Sequence, residues 1–85
     1  MINPEDAVRK LNEEMGKMDN NLFVVIEIYE NFFGEYIVHL KVNRMVKAAY
    51  STLKKIAEIT GARDILIEKA EGDNLVEIKL MIPKK

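Results

Sequence analysis

The sequence predicts an α+β fold, a two-layer sandwich in which two helices cover one face of a four-stranded sheet. Three observations predict it. Apolar residues recur at three- and four-residue spacing in two segments, 3–18 and 44–60, as they do on helices with one buried face. Four other segments are rich in β-branched residues and read as strands. These strands fall into two pairs, each joined by a short turn, so the element order is α-β-β-α-β-β. The chain of 85 residues is one domain, 1–85, with 83–85 expected to fray as a tail.

The first helix has a clear start. Asn3 is a capping residue, Pro4 suits the first helical position, and Glu5 and Asp6 oppose the helix dipole. Val8, Leu11, Met15 and Met18 make its apolar stripe, and Gly16 with Asp19-Asn20-Asn21 ends it. LFVVIEIYE is the first strand. Period-two geometry puts Leu22, Val24, Ile26 and Ile28 on one face and Phe23, Val25, Glu27 and Tyr29 on the other. EYIVHLKVN is the second, with Tyr36, Val38, Leu40 and Val42 inward and Ile37, His39 and Lys41 outward.

Asn31 suits the residue before a type I turn, and Gly34 suits a left-handed residue closing a bulge. A Phe32-Phe33-Gly34 loop therefore pairs Asn31 with Glu35, Tyr29 with Ile37, Glu27 with His39 and Ile26 with Leu40. The second helix, 44–60, stops at Gly61 and carries Val46, Ala49, Tyr50, Leu53, Ile56 and Ala57 as its buried stripe. RDILIEKA and NLVEIKLMI form a second hairpin around Gly72-Asp73, pairing Ile65 with Leu80, Ile67 with Ile78 and, outside, Glu68 with Glu77.

The order is that of a circular permutation of the ferredoxin-like βαββαβ arrangement. In that reading the strands holding His39 and Glu77 are expected to be central and parallel. The alternative puts the first strand in the centre with every pair antiparallel, and the sequence leaves both open.

Composition excludes much. Lys and Arg number 13, Asp and Glu 14, and the formal net charge is -1. There is no Cys, which excludes disulfides, thiolate chemistry and zinc fingers. Apolar runs fall far short of the ~20 residues of a membrane helix, and acids stand where a signal peptide needs apolar residues. A cytoplasmic location is expected. Abundant Lys and Glu suggest a thermophilic source, although the seven Asn residues point the other way. No catalytic motif is present, so no enzyme and no cofactor are expected.

Four features remain. Glu27, His39, Glu68 and Glu77 share the outer face and are candidate metal ligands, weighed against a solvated charge ladder balanced by Lys41 and Lys79. With a single His in the chain, no metal is expected there. The same face carries Phe23, Tyr29, Ile37 and Met81, an apolar set suited to a partner. Phe32 and Phe33 sit at a hairpin tip where polar residues are usual, and at least one ring is expected to fold over the core edge. Arg44, Lys47, Lys54 and Lys55 give the second helix a basic outer arc.

The element order, the length and the ending ITGARDILIEKAEGDNLVEIKLMIPKK resemble a small archaeal family of conserved hypothetical proteins with an α+β fold. The resemblance implies that fold and no assigned activity, and it transfers no site residue. The function expected is a non-enzymatic interaction module or small subunit acting through the outer sheet face on another protein chain or on a second copy of itself. The alternative is nucleic-acid binding by the basic arc.

Overall fold

A computed structural model of the chain describes residues 3–16, 21–43, 50–69 and 76–84. In order they form helix α1 (Pro4–Leu11), strands β1 (Phe23–Glu30) and β2 (Glu35–Val42), helix α2 (Tyr50–Thr60), and strands β3 (Asp64–Lys69) and β4 (Val76–Pro83). The fold is the α+β arrangement the sequence predicts.

Local chemistry explains most boundaries. The Asn3 side chain accepts from the Glu5 N–H at 2.8 Å, and Pro4 opens α1. Beyond Leu11 the helix widens into a π-type turn over Asn12–Gly16. Gly61, at φ 77°, ends α2 in the left-handed conformation, its N–H bonding the Ala57 carbonyl at 2.8 Å.

The sheet runs β1-β2-β4-β3, and every neighbouring pair is antiparallel. The strands holding His39 and Glu77 are central, as the permuted order requires, but the expectation that they run parallel is corrected. The physical reason lies in the connections. Helix α2 carries the chain from β2 to a parallel β3, and β4 folds back by a hairpin into the gap between them. A strand inserted in that gap opposes both neighbours. The alternative with the first strand in the centre is also set aside, because β1 is an edge.

Both helices pack on one sheet face. Ala7, Val8 and Leu11 of α1 and Ile56 and Ile59 of α2 share a single cluster with Phe23, Val38, Leu40, Val42, Ile78, Leu80 and Ile82. Leu11, Leu40, Leu80 and Val38 are its largest fully enclosed members, and Thr60, a polar residue outside the cluster, is fully enclosed as well. Val38 is buried inward and His39 lies outward, as the alternation predicts.

Two packing expectations are corrected. Strand β1 carries a bulge between Val25 and Glu27, so Val25, not Ile26, stands opposite Leu40. One extra residue reverses the parity upstream of it. Phe23 turns into the core at 3% exposure, and Val24 turns out beside Lys41. On α2, Ile56, Ile59 and Thr60 are buried, whereas Tyr50 is 79% exposed. Tyr50 lies six positions before Ile56, about 120° round the helix from the buried stripe. Val46 and Ala49 of the expected stripe, and the Gly72-Asp73 turn, lie outside the described residues.

Candidate functional site

With both helices on one face, the described residues leave the other sheet face uncovered. Register lays its side chains out in rows across β1, β2, β4 and β3. The row nearest the Phe32–Gly34 turn is Tyr29, Ile37, Met81 and Asp64. The next is Glu27, His39, Lys79 and Leu66. The third is Val24, Lys41, Glu77 and Glu68.

The charges on this face pair with one another. His39 Nε2 lies 2.7 Å from Glu77 Oε1, so Nε2–H donates to the carboxylate. His39 Nδ1 is enclosed without a hydrogen bond, 3.9 Å from Glu27 Oε2. Lys79 Nζ reaches Glu68 Oε1 at 3.4 Å, which relieves the opposition of Glu68 and Glu77 across the β3–β4 pair. Of the weak metal candidates, then, Glu77 and Glu27 flank His39, while Glu68 turns to a lysine. Among the described residues no group of three or more His, Cys, Asp or Glu gathers where it would hold a metal ion.

The apolar candidates divide. Tyr29 is exposed and Met81 half-buried. Phe23 is withdrawn, because the bulge turns it into the core. Ile37 faces outward as expected, yet it is 6% exposed, enclosed between Tyr29 and Met81 on the neighbouring strands. A partner laid on this face would touch those flanking side chains more than Ile37.

The hairpin tip is the most exposed apolar feature. Phe32 is 105% and Phe33 86% exposed, so the expectation that one ring folds over the core edge is corrected. The backbone explains it. Asn31 N–H bonds the Glu35 carbonyl at 3.0 Å, and Gly34 closes the turn at φ 73°. Asn31 Oδ1 then accepts from the N–H groups of Phe33 at 2.9 Å and Glu35 at 3.0 Å. With the turn locked in that shape, neither ring is turned back onto the sheet.

Beneath the tip lies a polar clamp that the sequence does not announce. Glu35 is buried at 7% exposure and accepts a bidentate pair from Arg63, Nε to Oε2 at 2.7 Å and Nη2 to Oε1 at 3.1 Å. Asn31 Nδ2 adds a third bond to Oε1 at 3.0 Å. The Arg63 guanidinium, and after it the Asn31 amide, hold the Glu35 carboxyl below the usual carboxylate range. The same bond raises Arg63, helped by its ion pair to Asp64. Lys84 closes the far side over the Tyr36 ring at 5.6 Å, and its bond to Glu30 at 3.0 Å raises its pKa. Together Phe33, Glu35, Arg63, Pro83 and Lys84 line a shallow groove of about 510 Å³ below the tip.

Of the basic arc, Lys54 and Lys55 lie exposed on α2, while Arg44 and Lys47 fall outside the described residues. Acid stands beside base there: Lys55 and Lys10 share the cleft between α1 and α2 with Glu14 and Glu58. No helix among the described residues is long and apolar enough to cross a membrane. Compared with known proteins, the chain matches no family model, no curated protein and no solved structure.

Proposed function

We propose that this chain is a non-enzymatic interaction module that docks onto another protein chain, a second copy in the simplest case. Its anchor is the Phe32-Phe33 tip, and the Tyr29–Met81 row behind the tip supports it. One observation carries the reading: two phenylalanine rings stand in solvent on a turn whose backbone is fixed. Exposed aromatics of this size are costly to leave in water and are typical anchors of protein interfaces. The Asn31–Glu35–Arg63 clamp strengthens the case, because a tip already ordered loses little entropy on docking.

Sedimentation equilibrium from micromolar to millimolar chain tests the self-docking form. Average mass should rise with concentration for the natural sequence and stay at one chain for the Phe32→Ser/Phe33→Ser variant. A natural chain that is monomeric throughout, with tip resonances that do not move on concentration, refutes self-docking. Nucleic-acid binding by Lys54 and Lys55 is the competing reading. A salt-dependent shift with mixed-sequence RNA, lost in Lys54→Glu/Lys55→Glu, would replace the proposal.

A further inference from the structure

The outer edge of β1 is a second feature, separate from the tip. Phe23 is the one residue of that edge whose outward backbone groups are met by the described residues. Asn12, projecting from the wide turn after α1, accepts from the Phe23 N–H at 2.8 Å and donates to its carbonyl at 2.9 Å. Its amide thus stands where the next strand would lie. Further along, the Asn31–Glu35 bond sets the antiparallel alternation, so Ile28 and Glu30 turn N–H and C=O away from β2. No backbone group among the described residues meets them.

Natural edge strands are usually guarded by lysine, proline or a covering element. Strand β1 has neither lysine nor proline, and it exposes Val24, Val25 and Ile26 at 38–46%. Its guards are the bulge at Val25 and the Asn12 amide over Phe23, both at the start of the strand. Beside it runs a groove of about 580 Å³ between the strand and one face of the first helical segment, Glu5, Val8, Arg9, Asn12 and Glu13.

We infer that this edge accepts an extended peptide from another protein, one that alternates apolar and basic side chains. Main-chain bonds to Ile28 and Glu30 would hold it, apolar side chains would enter the groove against Val8 and Val25, and basic ones would meet acid. Charge selects the ligand. Of the two acids of β1, Glu30 is already bonded to Lys84, so Glu27, exposed and 3.9 Å from His39 Nδ1, is the acid the strand offers a ligand. In the groove Arg9 is already bonded to Asp6 and Glu13, and no cation among the described residues meets Glu5. The same charges argue against a second copy. Pairing β1 with β1 sets acids against acids, and β3 offers Asp64 and Glu68 against a single Lys69.

The test titrates the full 15N-labelled chain with a short capped peptide of alternating valine and lysine, and in parallel with its valine–glutamate counterpart. The lysine peptide should shift the β1 and α1 resonances and slow amide exchange at Ile28 and Glu30, while the glutamate peptide does neither. Glu30→Pro removes an outward N–H without touching the β2 ladder and should abolish binding. Should that variant fail to fold, Glu5→Lys/Glu27→Lys leaves the backbone intact and should weaken binding roughly tenfold or more. Phe32→Ser/Phe33→Ser should bind the peptide as the natural chain does, which separates this site from the tip. Equal response to both peptides, or shifts confined to the tip and the uncovered sheet face, would overturn the inference.

Discussion

Replacing Asn12 with alanine tests the joint between the first helical segment and the sheet. Asn12 is buried at 9% exposure and satisfies both outward backbone groups of Phe23, itself 3% exposed. Alanine removes two hydrogen bonds and strands a donor and an acceptor where water reaches poorly. Losing the bonds and leaving those groups unpaired costs about 2–4 kcal/mol. A domain of this length holds roughly 4–13 kcal/mol in total, so the variant gives up a large share of its stability. At about 4–8 °C per kcal/mol, the melting temperature should fall by about 8–32 °C. Urea denaturation followed by circular dichroism gives the free energy, and amide exchange at Phe23 gives the local effect. Asn12→Asp separates the bonds, because aspartate still accepts from the Phe23 N–H but sets its charge against the carbonyl. A variant within about 0.5 kcal/mol of the natural chain, with Phe23 still protected, would refute the reasoning.

Glu35 predicts an acid limb of stability. Its carboxyl is held below the ordinary value by Arg63, so its contribution is complete above about pH 4.3 and is lost as pH falls through the lowered folded value. Glu35→Gln should flatten that limb in melting curves taken between neutral pH and strong acid, and an unchanged limb would remove the clamp from the account. Gly34→Ala should cost about 1–2 kcal/mol and Gly34→Asn less. A Cβ there meets nothing within 4 Å, so the backbone at φ 73° alone sets the cost, and equal losses for both would contradict that. Leu80→Ala, at a fully enclosed position, should cost about 2–5 kcal/mol, against about 0.5 kcal/mol or less for Leu66→Ala, which is 46% exposed. Thermal denaturation of the pair decides it.

Local signals in the sequence carry most of this fold. The Asn3-Pro4 start, the Asn31 and Gly34 turn residues and the alternation in β2 each act within a few residues, and each is legible. The bulge at Val25 is not. Leu22 through Ile26 is apolar at every position, so either parity buries an apolar side chain, and nothing in the run says where it changes. What decides is remote: Asn12 fastens the Phe23 backbone from another element. The clamp is hidden for the same reason. Glu35 and Arg63 are 28 positions apart, and they meet because Glu35 stands opposite Pro83 while the Arg63 N–H bonds the Met81 carbonyl. The exposure of Phe32 and Phe33 depends in turn on the Asn31 side chain capping the turn, a contact that composition alone does not show.

The chain's three phenylalanines offer the most direct test, because the structure hides one and bares the other two. Fluorophenylalanine labelling gives three fluorine resonances, and a soluble gadolinium chelate reports how close solvent comes to each. In dilute solution the chelate should broaden the Phe32 and Phe33 signals strongly and leave Phe23 sharp. Phe23 broadened alongside them, or either tip ring shielded in the isolated chain, would contradict the architecture and the docking role built on it.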